Sequence, residues 1–341
     1  MPCGSPAHDL QRRADLYGGE TALLRLIDLR QHDAESHRDL MDALYASPPA
    51  VPARYFYDEL GSTLFSAITQ LPEYYPARLE REILTRHAAA IADLLPRNAM
   101  LIDLGAGDGS KAQYLLPFLR PAHYVAMDIS AEYTLRALQS VAGDYPDTEI
   151  SVIACDFTAG LDWPRQLRCE RPIFFFPGSS IGNFSPSQAR SFLHRLSQLC
   201  QSSAGGQGDV LLGIDLVKER HRMRAAYDDA LGVTAAFNRN LLRHVNRAID
   251  ADFDVDRFRH EVRFNEAESR IEMWLVPDAD QQVRWRQGGR VFHAGEGLLT
   301  ECSYKYTVER VSLLLAASGL AMQHAWLDDS AGYLVCHARS G

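Results

Sequence analysis

A glycine-rich turn follows a short apolar segment, and this junction constrains the fold more than any other feature of the chain. Residues Ala99–Leu104 are almost continuously apolar and lead into Gly105-Ala106-Gly107-Asp108-Gly109. A strand that ends in bare backbone lets a ligand approach its carboxyl end closely. The third glycine comes one residue earlier than in a dinucleotide-binding GxGxxG turn. Taken alone, the pattern is also compatible with an ordinary tight turn.

Strands and helices alternate after this turn. Further strands are predicted over Tyr124–Met127, Ile150–Cys155, Ile173–Phe176 and Val210–Leu216, and helices over Ser110–Leu119, Ala131–Val141 and Ser187–Cys200. Apolar strands separated by helices predict a parallel sheet covered on both faces. A helix over Val308–Ala317 and an antiparallel hairpin of Ala321–Asp328 and Gly332–Ala338 follow near the end of the chain. The predicted fold is therefore α/β, a doubly wound sheet with an antiparallel last strand.

The pattern changes after residue 218. Arg220–Asn246 is predicted to be largely helical, and Arg257–Phe264 with Arg270–Val276 predicts a β-hairpin. A second hairpin is predicted from Val283–Arg286 and Arg290–His293, around Gln287-Gly288-Gly289. We therefore expect one domain from residues 77–218 and 304–341, and an α+β unit from residues 20–76 and 219–303.

Acidic residues follow two further predicted strands in order. Asp128 ends the strand after the glycine turn, where a carboxylate can accept hydrogen bonds from two ribose hydroxyls. Asp156 and Phe157 follow the third strand, where an acid and the next backbone N–H commonly meet adenine in class I methyltransferases. Each acid alone could instead cap a helix. Their order, with Asp103 before the first glycine, favours a nucleoside-containing cofactor.

Composition excludes several classes of function. With 35 Lys and Arg against 44 Asp and Glu, the formal net charge is −9, which disfavours a phosphate-backbone partner such as nucleic acid. The six cysteines form no CxxC pair and the twelve histidines no HExxH pattern, so no metal is expected. No apolar segment reaches membrane-spanning length, and the first thirteen residues lack a signal-peptide pattern. We expect a cytoplasmic protein without a membrane partner.

Several longer segments resemble the histidine Nα-methyltransferases of the ergothioneine pathway. Within residues 50–341 they read YFYDELGSTLFSAITQLPEYYP, DLGAGDGSKA, GSSIGNF, GIDLVKE, AYDDALGVTAAFNRNLLRHVNR, EMWL and TECSYKY. The resemblance implies a class I methyltransferase core that binds S-adenosyl-L-methionine, and a separate substrate-recognition domain. It further implies a monomeric enzyme that methylates the α-amino group of L-histidine three times, giving hercynine.

The resemblance also implies roles for individual residues. The implied cofactor contacts are Tyr57, Gly105, Gly107, Lys111, Asp128, Asp156 and Phe157. The implied substrate contacts are Tyr57, Tyr74, Asn183, Tyr227, Met273, Glu301 and Ser303, with Tyr57 and Asn183 closest to the reaction. In this scheme Glu301 and Ser303 meet the imidazole, with Met273 lining its ring.

The residues themselves leave alternatives open. Asn183 could cap a helix, and Tyr74, Tyr227 and Met273 could be core residues. Two residues apart on a strand, Glu301 and Ser303 share one face, where they could recognise both nitrogens of an imidazole or face solvent. The remaining candidates are a methyltransferase for another amino acid or a small imidazole compound, a non-catalytic binding protein, and an NAD-dependent oxidoreductase.

Overall fold

The computed structural model describes residues 24–30, 37–158, 171–203, 208–286 and 288–341. The strands in this part of the chain are β1 (Leu24–Asp28), β2 (Met100–Leu104), β3 (His123–Asp128), β4 (Glu149–Ala154), β5 (Pro172–Phe176), β6 (Asp209–Asp215), β7 (Phe258–Asn265), β8 (Arg270–Pro277), β9 (Gln281–Trp285), β10 (Gly288–Phe292), β11 (Leu298–Tyr304), β12 (Leu320–Leu327) and β13 (Tyr333–Ser340). The α-helices are α1 (Arg38–Tyr45), α2 (Glu59–Ile68), α3 (Tyr75–Leu94), α4 (Leu116–Leu119), α5 (Ala131–Asp144), α6 (Pro186–Ser202), α7 (Arg220–Ala225), α8 (Val233–Ile249) and α9 (Val308–Ala317).

Eight strands form one large sheet in the order β1-β4-β3-β2-β5-β6-β13-β12. Strands β1 to β6 pair in parallel, whereas β13 runs antiparallel to both β6 and β12. The strand order reverses direction at β2, where it continues to β3 on one side and to β5 on the other. The predicted doubly wound sheet with a reversed strand near its end is confirmed.

The apolar strands are buried on both faces because successive side chains point to opposite sides of the sheet. In β2, Leu101 belongs to the core beneath α3 and α5, while Ile102 and Leu104 belong to the core beneath α6 and α9. Each of these three side chains is 0% exposed. The almost continuous apolar sequence of β2 therefore follows from its position at the centre of a two-sided sheet.

The second unit combines a three-stranded antiparallel sheet, in the order β11-β8-β7, with the long helix α8. Residues before α3 pack onto it, since the rings of Phe56 and Phe237 stack with centroids 4.5 Å apart. The hairpin of β9 and β10 is a separate pair of strands, and Gln287 in its turn lies outside the described residues. Both predicted hairpins are confirmed in their strands.

Two expectations are corrected. The α+β unit is expected to include residues 20–76, but β1 within that range pairs in parallel with β4 and extends the large sheet. The helix expected over Ser110–Leu119 is a 3-10 turn, Ala112–Tyr114, followed by the short α4. Pro117 explains this break, because a proline has no N–H to continue an α-helical hydrogen-bond ladder.

Residues 31–36, which precede helix α1, lie outside the described residues. Of the helices described, none combines the length and the apolarity that crossing a bilayer would require.

Candidate active site

A cavity of about 810 Å³ opens at the carboxyl edge of the large sheet. Its walls include the residues that follow β2, β3, β4 and β5, among them Gly105, Asp156 and Gly178. The opposite wall comes from the segment before α3 and from β11 of the smaller sheet. The cavity thus lies where ligands bind in open α/β sheets, outside the carboxyl ends of the strands at the point where strand order reverses.

The glycine turn after β2 forms the floor of this cavity. Gly105 and Gly107 both have left-handed backbone, with φ of 77° and 56°. A side chain at either position would be strained, so the turn exposes bare backbone to a ligand. Asp128 fixes the turn, because its two oxygens accept the N–H groups of Gly107 at 2.9 Å and of Ser130 at 2.8 Å. Burial raises the pKa of Asp128, and these backbone N–H groups oppose that effect.

An acid and an apolar ring lie together at the end of β4. The backbone N–H of Thr158 donates to the carboxylate of Asp156 at 3.0 Å, and Arg54 lies 3.8 Å from its other oxygen. The Phe157 ring meets Phe176 edge-on at 5.8 Å between centroids. A carboxylate beside an aromatic ring suits a flat heterocycle that carries an amino group.

Lys111 provides a cation on the same side of the cavity. Its ammonium lies 3.3 Å from the carboxylate of Glu80, a side chain on α3 that is only 1% exposed. The backbone N–H of Gly178 also donates to Glu80. This buried carboxylate therefore holds Lys111 next to the loop that follows β5.

Strand β11 presents Glu301 and Ser303 on one face towards the cavity. The Tyr227 hydroxyl donates to Ser303 Oγ at 2.8 Å, and the Tyr74 ring meets the Tyr227 ring edge-on at 6.1 Å. Burial raises the pKa of Glu301 to about 7, although Lys305 opposes the shift. Among the described residues, none donates a hydrogen bond to the Glu301 carboxylate, so both oxygens are available to a ligand.

Tyr57 and Asn183 each lie at the end of a 3-10 turn. Asn183 ends the 3-10 turn Ser180–Asn183 after β5, and Tyr57 follows a second such turn, Ala53–Phe56. Both line the cavity. Burial raises the pKa of Tyr57 and of Tyr74 well above the ordinary range, so both phenols stay protonated and act as hydrogen-bonding groups.

The structure brings together all but one of the residues selected from the sequence. The cavity lining includes Tyr57, Tyr74, Gly105, Gly107, Lys111, Asp128, Asp156, Phe157, Asn183, Tyr227, Glu301 and Ser303. Met273 is the exception. It lies directly opposite Glu301 in the pairing of β8 with β11, but it is 1% exposed within the hydrophobic core and does not line the cavity.

Sequence reasoning missed the buried charged residues that lie next to Ser303, chiefly Lys305 and its partner Asp215. Their carboxylate and ammonium form an ion pair at 2.7 Å with neither side chain exposed. The only available signal was their place within the TECSYKY and GIDLVKE segments, because nothing in the local pattern predicts which charged residues are buried.

Comparison with known proteins identifies the family. A family model described as "Histidine-specific methyltransferase, SAM-dependent" matches residues 36–340. The chain belongs to this family. It is an S-adenosyl-L-methionine-dependent methyltransferase, and its large sheet has the class I fold.

Relatives differ in acceptor and in length. Histidine N-alpha-methyltransferase of Mycobacterium tuberculosis is 41% identical over 304 residues, covering 87% of this chain and 92% of the relative. Ergothioneine biosynthesis protein 1 of Neurospora crassa is 31% identical over 289 residues, covering 82% of this chain and 32% of the relative. A 4-dimethylallyltryptophan N-methyltransferase of Arthroderma benhamiae is 27% identical over 318 residues, covering 89% and 93%.

Proposed function

We propose that the chain transfers methyl groups from S-adenosyl-L-methionine to the α-amino group of L-histidine, three times in succession, giving hercynine for ergothioneine biosynthesis. The observation that carries this proposal is the shared cavity. Glu301 and Ser303 line the same cavity as the glycine turn and Asp128. Residues that can bind an imidazole and residues that can bind a nucleoside therefore share one cavity.

The residues present fit the cofactor. Asp128 can accept from two ribose hydroxyls, since each carboxylate oxygen keeps a lone pair beyond its backbone hydrogen bond. Asp156 can accept from the adenine amino group, with Phe157 against the ring. Lys111 can pair with the carboxylate of the methionine part. When bound, the cofactor supplies an electrophilic methyl group on a sulfonium.

The remaining residues orient the amino acid. We assign Tyr74, Asn183 and Tyr227 to the α-amino and carboxylate groups, and Tyr57 to the space where the methyl group meets the amine. Because burial keeps the phenols of Tyr57 and Tyr74 protonated, they position the substrate and do not deprotonate it. The amine attacks as its neutral form and its proton leaves to water. Orientation of the amine lone pair is then the main contribution of the protein.

Glu301 and Ser303 favour histidine over other acceptors. A carboxylate that accepts from a ring N–H and a hydroxyl that donates to a bare ring nitrogen match the two nitrogens of a neutral imidazole. The second candidate is another amino acid or a small imidazole compound as acceptor, which the tryptophan-derived substrate in the name of one relative motivates. A site built to hydrogen-bond a substrate strongly rejects analogues that lack the matching group.

We further propose that the enzyme acts as a cytoplasmic monomer. Cys155, Cys302 and Cys336 are free thiols, which suits a reducing compartment.

Mass spectrometry tests the proposal directly. Purified protein is incubated with S-adenosyl-L-methionine and the twenty amino acids, and the expected products are mono-, di- and trimethylated histidine in sequence, with the other amino acids unchanged. Methylation of a different amino acid would overturn the imidazole role of Glu301 and Ser303. As a matched variant, Glu301→Ala should lower kcat/KM for histidine and leave the affinity for S-adenosylhomocysteine unchanged.

A further inference from the structure

The buried ammonium of Lys305 lies next to Ser303, one of the two residues proposed to bind the imidazole. Lys305 is 1% exposed, and its Nζ donates to Ser303 Oγ and to the Tyr227 hydroxyl, each at 2.9 Å. It also pairs with Asp215 at 2.7 Å. Burial would lower the pKa of Lys305, but Asp215 and Tyr227 raise it above its ordinary value, so the ammonium stays charged.

These contacts account for every hydrogen on the ammonium. Lysine has three donors and no acceptor, and Lys305 directs one each to Asp215, Ser303 and Tyr227. Because Tyr227 in turn donates to Ser303 at 2.8 Å, hydrogen bonds connect Lys305, Tyr227 and Ser303 in a closed triangle. Ser303 Oγ then accepts two hydrogen bonds, which uses both of its lone pairs. Its own hydrogen must point elsewhere, and Ser303 lines the cavity.

We propose that Lys305 is a positioning residue that fixes Ser303 as a hydrogen-bond donor towards the substrate ring. Glu301 beside it only accepts when ionised. The pair therefore selects a ring with one N–H and one bare nitrogen, which is neutral imidazole. An imidazolium would present a second N–H to a serine with no free lone pair, and a ring without nitrogen would leave both side chains unpaired. This inference rests on the proposed function, since it concerns how the same site reads histidine.

The fold supplies a matched control for Lys305. Lys218 also pairs with Asp215, and it donates to the Leu216 carbonyl and to the Tyr75 hydroxyl. Of its hydrogen bonds to described residues, none reaches Ser303 or Tyr227. Removing either lysine takes one cation from Asp215, but only removal of Lys305 frees the Ser303 hydroxyl.

The test compares Lys305→Met with Lys218→Met. Isothermal titration calorimetry, with S-adenosylhomocysteine bound, gives Kd for L-histidine and for L-3-(2-thienyl)alanine, whose ring is similar in size but has no nitrogen. The preference for histidine is the ratio of the Kd for L-3-(2-thienyl)alanine to the Kd for L-histidine. We expect Lys305→Met to lower this ratio about tenfold, because the variant loses a fixed hydrogen bond. KM for histidine should rise more than kcat falls. Lys218→Met should keep the wild-type preference.

A double-mutant cycle separates positioning from stability. If Lys305 acts through Ser303, then Lys305→Met should add little to the loss of preference already caused by Ser303→Ala. Additive losses, or an equal loss in Lys218→Met, would overturn the proposal. Should Lys305→Met not fold, Lys305→Gln keeps an N–H donor and should retain more of the histidine preference than Lys305→Ala; equal preference in those two would overturn it as well.

The proposed function can fail separately. A wild-type protein that does not methylate histidine contradicts the function itself. If the wild-type protein methylates histidine and the Lys305→Met variant keeps the full preference for histidine, only the role of Lys305 is contradicted.

Discussion

Glu80 accepts the backbone N–H of Gly178 with both carboxylate oxygens, at 2.8 and 3.0 Å, although the two residues lie 98 positions apart. The hydroxyl of Tyr333 donates to the same carboxylate at 2.8 Å, and Lys111 lies 3.3 Å away. One buried side chain on α3 thus joins the loop after β5, the segment after the glycine turn and the strand β13. A buried carboxylate is stable only when its oxygens are satisfied in this way.

Replacing Glu80 by alanine should therefore destabilise the fold strongly. We expect Glu80→Ala to lower the free energy of unfolding by about 3–5 kcal/mol, because it leaves buried donors unpaired. Urea denaturation measures the change. Glu82→Ala is the control, since Glu82 lies on the same helix, is 46% exposed and lies 4.0 Å from Arg78. That variant should stay within about 0.5 kcal/mol of wild type; similar losses in the two would show that Glu80 has no special role.

Asp128 should determine the affinity for the cofactor. Asp128→Asn replaces an acceptor-only carboxylate by an amide that cannot accept from Gly107, Ser130 and two ribose hydroxyls together. We expect Kd for S-adenosylhomocysteine to rise about tenfold or more, by isothermal titration calorimetry. Asp108→Asn is the matched control, because Asp108 accepts the Ser110 N–H in the same turn and does not line the cavity. An equal rise in both variants would remove the ribose role from Asp128.

The cofactor half of the site could be predicted from local sequence. Parallel strands place their carboxyl ends on one edge of a sheet, so Gly105, Asp128 and Asp156 had to lie close together once the strands were recognised. The reversed last strand was equally accessible, because its hairpin partner is adjacent in sequence. These features depend on short-range patterns and on a general rule of sheet topology.

The substrate half depended on contacts that no local pattern specifies. Lys305 and Asp215 are 90 residues apart in the sequence, and their burial follows only from packing β11 against the end of β6. In the large sheet, the pairing of Leu24–Asp28 with β4 is likewise not specified by local sequence, since a five-residue strand can pair with any free edge. Met273, which the family resemblance implies, lies opposite Glu301, and its side chain packs into the core.

Gly182 should be needed for the spacing between Asn183 and β11. A Cβ at Gly182 would lie 2.9 Å from the Tyr304 carbonyl oxygen and 3.5 Å from Ser303 Oγ, so Gly182→Ala must push the strand away. We expect a loss of about 1–3 kcal/mol in stability, as overpacking usually causes, and a higher KM for histidine.

The control for this change is Gly143→Ala in α5, where an added Cβ meets no atom within 4 Å. That variant should be unchanged or more stable by up to about 1 kcal/mol, because alanine restricts the unfolded chain and favours the helix. Thermal unfolding and steady-state kinetics measure both variants. A normal KM for histidine in Gly182→Ala would show that the site tolerates movement of β11.

The carboxyl of Glu301 should make stability depend on pH. Burial raises its pKa from 4.5 to about 7, so the folded state holds this proton over a range in which the unfolded state has released it. Where the folded state binds more protons, the free energy of unfolding falls as pH rises. The penalty from Glu301 therefore grows between about pH 4.5 and pH 7 and is complete above pH 7.

Glu301→Gln removes this titration while keeping the size of the side chain. The unliganded variant should be more stable than wild type by about 1–3 kcal/mol near pH 8.5, since one pKa unit corresponds to about 1.4 kcal/mol and access to the cavity weakens the effect. The difference should shrink towards pH 5, where Glu301 is protonated in the folded protein.

Asp103 is also buried with its pKa raised to about 7, but it is present in both proteins and cancels in the comparison. Urea denaturation at the two pH values measures the difference; a gap that stays constant with pH would contradict the assignment. Because the same change replaces a charged acceptor for the imidazole N–H by a neutral amide oxygen, we expect a more stable protein that binds histidine more weakly.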